Sequence, residues 1–368
     1  MIGRKWCKRK CRCAIIKKKC QEESVMAYQG VLNDIDKCIR LEVPDRVPVF
    51  ALSEEFDVRM SGVMYSDYNS NSKQLADSQI QAIKKYDYDW AWLQVDDCIE
   101  FEVLGVGVKG GGNILPATCD YLPFSYSTFH NLKMPDFKKE GRMPVLLDAI
   151  KRIKDALGDT VCVTGRCAAP LSSVTLLYGM MPTYMGFFDN PQLIKDTVKF
   201  FTEMQSLWGI EQIKAGADAL WFGDCNASGH LINVNTFMEY AFEGIKICAE
   251  NYRAQGGRTF YHASEHSIPH LKAMAKTGVS AVSAGPGVDI GEVKAAIGDT
   301  VCIMGNVNPI ETLLEKKPDQ VYEDSKQVML KGKTNGGYLF NSGEMVPRDV
   351  PEENIIAMVK AGRDFGTY

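Results

Sequence analysis

Residues 215–224 read AGADALWFGD, and the order of chemistry within them decides the fold. Gly216 follows a long helical pattern and supplies the left-handed conformation that closes a helix. Next comes a short run, ALWF, that is apolar at every position rather than at alternate ones. Such a strand is covered on both faces, as in a parallel sheet packed between helices. The run ends on a polar side chain, Asp224.

The same phrase recurs along the chain. Apolar, β-branched runs stand at VPVFAL (47–52), WAWLQV (90–95), VCVTGR (161–166), TFYH (259–262), AVSAG (281–285), VCIMG (301–305) and YLFN (338–341). Between them lie segments with a 3.6-residue apolar period, among them MPVLLDAIKRIKDAL (143–157), 190–216, 235–255, 268–278 and 349–366. Eight strand–helix units over roughly 340 residues predict a closed (β/α)8 TIM barrel spanning 26–368. An open doubly wound sheet would carry a glycine-rich phosphate turn after its first strand. That position reads ALSEEFDVRMSG (51–62), which has none, and 53–89 reads as one long loop.

Composition is that of an ordinary soluble globular chain, 45% hydrophobic and 24% charged over 368 residues. No apolar run approaches the roughly 18–20 residues of a membrane span. Residues 1–25 differ, with nine Lys/Arg against two Glu and four of the twelve cysteines, Cys7, Cys11, Cys13 and Cys20. Removing them from totals of 42 and 46 leaves 33 basic and 44 acidic residues, a net charge of −11. This segment is expected to be an upstream extension that does not fold with the barrel. A basic arm or a cysteine metal knuckle is the alternative, although the spacing matches neither. The other cysteines sit mostly within apolar runs, the usage of buried free thiols in a reducing cytoplasm. Neither nucleic acid nor membrane is expected as a partner.

Barrel enzymes carry their chemistry at the carboxyl ends of strands. Those ends here offer Ser53, Asp96 and Asp97, Arg166, Asp224 with Cys225, His262, Asn306 and, past the last strand, Glu344. Asp224, Glu239, His262 and Glu344 together could supply a mixed nitrogen and oxygen set for zinc. Set against this, His262 reads equally as a structural imidazole and Glu239 as a solvated helix residue. Asp96 and Asp97 are adjacent, so only one faces a pocket, and either could instead cap a helix. Turn chemistry explains much of Asn306. The stretch LLYGMMPTYMGFFDNP (176–191) is rich in Met and aromatics. It suits core cover at the barrel mouth, or a surface for an apolar ligand or partner.

Several of these segments together resemble the uroporphyrinogen decarboxylase superfamily. They are DRVPVF (45–50), VDDCIEFEVLG (95–105), GADALWFGDCNASGHLI (216–232), YHAS (261–264), CIMGNVNP (302–309) and SGEMVPRDVPEENIIAM (342–358). The resemblance implies the same barrel and offers two chemistries. Decarboxylases of this family use an arginine-rich loop after strand one and an aspartate after strand two. Asp96 matches the aspartate, but the loop reads SEEFDVRMSG (53–62), acidic with the single Arg59. Cobamide-dependent thiol methyltransferases carry His-x-Cys after strand five and a Cys after strand eight, all on zinc. His262 matches the histidine, while Ser264 and Glu344 stand at the two cysteine positions.

The resemblance therefore implies a zinc-dependent methyltransferase acting on a small O-methylated donor and a corrinoid carried by a partner protein. His262, Glu344, Asp224 and Glu239 are the expected metal ligands. Asp96 and Asn306 are the expected catalytic groups, and Ser53, Arg166, Cys225 and Ser264 are expected to contact substrate. A tetrapyrrole decarboxylase, or a barrel binding a corrinoid or tetrapyrrole without catalysis, stands as the alternative.

Overall fold

The computed structural model describes residues 28–368, so the reading of residues 1–25 lies outside it. Seven strands form one parallel sheet: β1 (Trp90–Trp92), β4 (Cys162–Ala168), β5 (Ala219–Gly223), β6 (Arg258–Glu265), β7 (Ala281–Ala284), β8 (Cys302–Asn306) and β9 (Tyr338–Asn341). They pair in chain order. The segment 47–52 closes the ring, with Phe50 N bonding Phe340 O at 3.1 Å and Asp89 N bonding Val49 O at 2.8 Å. All eight runs read from the sequence thus occupy the barrel wall, the first as an extended segment with a single bridge to β9. A separate hairpin, β2 (Gly107–Gly111) with β3 (Ile114–Asp120), lies outside it.

Alternation sorts the strand side chains into two cores. Phe50, Leu52, Trp90, Trp92, Trp221, Phe260 and Leu339 fill the inside of the barrel, where Trp90 and Phe260 stack at 4.7 Å between ring centres. Ala91, Val163, Leu220, Phe222, Tyr261 and Ile303 point outward and pack under the helices. The same parity carries Arg166 on β4 and His262 on β6 to the inner face at the carboxyl end.

The helices follow the expected rhythm with local differences. Met143–Leu157 matches its predicted bounds, and Pro191–Ala215 closes on Gly216 at φ +117°. The segment 235–255 breaks at Ala241 into Val234–Tyr240 and Phe242–Ala254. Residues 53–89 are not a single loop. They form Glu54–Ser61, Tyr65–Tyr68 and Ser72–Tyr86, the last capped by Asn71, whose side chain accepts from Lys73 N and Gln74 N. No helix among the described residues is long and apolar enough to cross a membrane.

Candidate active site

Strand β6 departs from regularity where its chemistry begins. Its register with β7 shifts between Tyr261 and Glu265, and Ser264 takes φ +49°. A non-glycine residue in the left-handed region is held there only by its surroundings. Here the bend turns Ser264 Oγ to donate to Glu344 Oε2. Glu344 enters from the loop after β9, which turns at Gly343 with φ +69°. A Cβ at that glycine would lie 2.9 Å from Asn306 Cα, so the close approach requires its absence. Ser342 Oγ holds the loop to the first barrel segment by accepting from Leu52 N at 3.0 Å.

His262 Nε2 lies 3.1 Å from Glu344 Oε2, and Nδ1 lies 2.9 Å from Ser283 Oγ on β7. Burial opposes a charge on this ring, but the Glu344 carboxylate and the Cys225 thiol outweigh it and push its pKa up to about 10. Glu344 in turn is held below its usual range by His262, despite its burial. Cys225 completes the group. One ligand atom from each of Cys225, His262 and Glu344 lies within 4.8 Å of the others. Sulfur, imidazole nitrogen and carboxylate oxygen are the donor types of zinc sites, and three protein ligands with an open fourth position is the catalytic pattern. The residues present fit that ion, and the Ser283 contact leaves Nε2 as the ligand atom.

A cavity of about 130 Å³ opens beside the triad. Leu52, Trp92, Leu176, Trp221 and Met345 give it an apolar wall, and Gln94, Asp97, Arg166 and Asn226 a polar one. A wider groove of about 690 Å³ lies between the outer helices Pro191–Ala215 and Phe242–Ala254, away from the strand ends, and gathers no comparable set.

The four-residue metal set expected from the sequence is not one cluster. Asp224 turns away from His262: its Oδ1 accepts from Ser172 Oγ at 2.7 Å and its Oδ2 from Tyr261 Oη at 2.6 Å. Burial pushes this carboxyl up to about 6 against those hydrogen bonds. Glu239 is exposed on its helix and pairs with Lys195 at 2.8 Å. Cys225, expected to touch substrate, stands in the triad instead, and Ser264 touches Glu344 beside it.

The two groups expected to be catalytic also lie off the cavity wall. Asp96 is buried, accepts from Cys98 N at 2.8 Å and Ile99 N at 3.1 Å, and forms an ion pair with Arg142 that Glu102 shares. Its neighbour Asp97 is the one that lines the cavity. Asn306 Nδ2 donates to Gly285 O at 2.9 Å and Val288 O at 2.8 Å, tying two loops together. Ser53 is buried against Asp57, donating to Oδ2 at 2.7 Å. Arg166 reaches the cavity, as expected. Trp92, Trp221 and Gln94 are not among the site residues read from the sequence, although two-residue alternation from Trp90 and Ala219 carries both tryptophans inward, and of the two adjacent aspartates Asp97 is the one that faces the cavity.

A parallel barrel with a nitrogen, sulfur and oxygen cluster at the carboxyl rim defines a class of barrel enzyme sites, and comparison narrows it. The family model for uroporphyrinogen decarboxylase (URO-D) matches residues 33–365, and the chain belongs to that family. It is 22% identical over 334 residues to the methylcobamide:CoM methyltransferase MtbA of Methanosarcina acetivorans, covering 89% of this chain and 96% of the relative. It is also 24% identical over 340 residues to the uroporphyrinogen decarboxylase of Psychromonas ingrahamii, covering 84% and 90%. Among solved structures, a methyltransferase from Methanosarcina mazei superposes with a TM-score of 0.83 at 21% identity, over 91% of this chain and 98% of that one.

Proposed function

We propose that this protein is a zinc-dependent methyltransferase that moves a methyl group from a small O-methylated donor to a corrinoid carried by a separate protein. The observation that carries the reading is the convergence of Cys225, His262 and Glu344 at the barrel mouth. Similarity over nearly the full length of a methylcobamide:CoM methyltransferase supports methyl exchange with a corrinoid, and the reaction proposed here runs it in the opposite sense, onto the cobalt. A zinc ion, when bound, supplies Lewis acidity toward the oxygen that departs. Cys225, His262 and Glu344 would hold it, with Ser283 fixing the imidazole ring. This set has one thiolate where the sulfur-rich thiol methyltransferases have two, which leaves the ion more electrophilic and favours an oxygen leaving group.

The chain's other residues position the donor. Trp92, Trp221, Leu52 and Met345 form the apolar wall against which its carbon skeleton packs, aligning the methyl group with the open mouth. Met181, Met185 and Phe188 are exposed on the helix Met180–Asp189 and offer the corrinoid protein an apolar docking rim. Asp96 and Asn306 act at a distance, as anchors of the loops that shape the mouth.

The test combines purified, zinc-supplemented protein with a cobalt(I) corrinoid protein and a panel of methoxylated compounds, following methyl–cobalt absorbance. Methyl transfer that depends on His262 is expected, and no transfer from any donor overturns the reading. The decarboxylase relatives favour a second reading, tested by carbon dioxide release from a porphyrinogen. It conflicts with the acidic segment 53–62 and with a cavity of about 130 Å³, since a polyanionic tetrapyrrole needs cationic partners and more room.

A further inference from the structure

The polar wall on the β1 and β4 side of the cavity has no role in the transfer just described. Among the described residues lining the cavity, Arg166 is the one arginine or lysine, 5% exposed, and it stands on the wall away from the His262 group. Its Nη1 donates to Glu100 Oε2 at 2.9 Å, and its Nη2 donates to Asp97 Oδ1. Glu100 is fully buried and also accepts from Ala168 N at 3.2 Å, so this partner is built into the wall. Asp97 is different. Its side chain is 64% exposed, and Gln94 Nε2 donates to the same Oδ1 at 3.1 Å, steadying it over the guanidinium.

One guanidinium thus faces two carboxylates, and the surroundings add more. Arg142 is shared by Asp96 and Glu102, while Glu54 is buried with both carboxyl oxygens lacking a hydrogen-bond partner among the described residues. Burial holds Glu54 well above the usual carboxylate range. Even with that group neutral, four carboxylates stand against two guanidiniums.

We propose that Asp97 is the charge-selecting residue of this cavity: it occupies the Arg166 nitrogen that an anionic ligand would need, so the site takes a small neutral or cationic molecule. The inference rests on the cavity being the substrate site. A carboxylate is recognised by a guanidinium with two nitrogens to give, and here both are engaged. An entering anion would also meet Asp97 itself at close range, a like-charge contact. A hydroxyl or ammonium group meets an acceptor there. The size agrees with one small ring, since an apolar cavity of about 150 Å³ holds benzene.

The test is a titration of the full-length, zinc-supplemented protein with three probes on one frame: 4-methoxybenzyl alcohol, 4-methoxybenzylamine and 4-methoxybenzoate. Binding is read by calorimetry and by the fluorescence of the tryptophans in the wall. The alcohol and amine are expected to bind at least about tenfold more tightly than the benzoate. Asp97→Asn is expected to remove the difference, mainly by tightening the benzoate about tenfold, and Asp97→Ser to act likewise. Benzoate binding as tight as the alcohol in the unaltered protein, a preference unchanged in both variants, or no binding of any probe would overturn the inference. No corrinoid is present, so a charge preference without methyl transfer in the separate assay would refute the reaction and keep the selection.

Discussion

His262 Nε2 and Glu344 Oε2 meet at 3.1 Å across 82 residues of sequence, while the other ring nitrogen is taken by Ser283 at 2.9 Å. An imidazole oriented from behind with a carboxylate before it is the arrangement of a ligand held ready. About one zinc per chain is expected by metal analysis. His262→Ala is expected to abolish it with the circular dichroism unchanged. Ser283→Ala, which leaves every ligand atom in place, is expected to weaken zinc affinity by about 10- to 100-fold. Zinc retained at full occupancy in His262→Ala would remove the assignment.

Cys225 and Glu239 separate the observed cluster from the set read in the sequence. Cys225→Ser is expected to lower zinc occupancy sharply after dialysis against a weak chelator. Glu239→Ala deletes only an exposed pair with Lys195, and its zinc content is expected to match the unaltered protein. The reverse pattern would restore the original ligand set.

Adjacent aspartates give a third expectation. Asp96 is buried on Arg142 and caps the turn at Cys98, whereas Asp97 is mostly exposed. Removing Asp96 leaves Arg142 paired with Glu102 alone and Cys98 N and Ile99 N without their charged acceptor, at a cost of about 1.5–3 kcal/mol. Asp96→Ala is expected to lose that much in urea unfolding, while Asp97→Ala stays within about 1 kcal/mol of the unaltered protein. Equal losses would mean that Asp97 too is structural.

Strand periodicity explains both what was legible and what was not. The barrel could be read because its strands are apolar on both faces and because glycines such as Gly216 close the helices before them. His262 and Glu344 were legible as polar residues at strand ends. Asp224 reads as a ligand from its place at a strand end, yet alternation turns it away: Ala219 and Trp221 point inward and Leu220 and Phe222 outward, so Asp224 follows the outward set onto Ser172 and Tyr261 while Cys225 reaches the cavity. The same rule fails at Asp96, because β1 ends at Trp92 and the chain turns before reaching it. Glu239 depended on how the helix Val234–Tyr240 is rotated, and nothing local to the sequence fixes that. Residues 53–89 contain the helix Ser72–Tyr86, whose one local signal in the sequence is the Asn71 cap.

Asp57 provides a stability switch away from the metal ligands. It is 3% exposed, Oδ2 accepts from Ser53 Oγ at 2.7 Å, and Oδ1 has no hydrogen-bond partner among the described residues. Burial outweighs the Ser53 bond and pushes its pKa up to about 8 from an ordinary value of 3.8. The folded chain therefore keeps a proton that the unfolded chain releases across the interval between those values. This contribution to stability is fully present below pH 3.8 and is lost as pH rises toward about 8. Asp57→Asn keeps the site neutral throughout, so its stability relative to the unaltered protein should climb with pH. A gain on the order of 1–3 kcal/mol is expected between pH 5 and pH 8, read as the difference in urea unfolding free energy at the two values. Taking the difference between the two proteins cancels the titration of every group that both share. If that difference stays flat over the interval, the buried carboxyl is already ionised in the native state, and the barrel must supply it with a compensating charge.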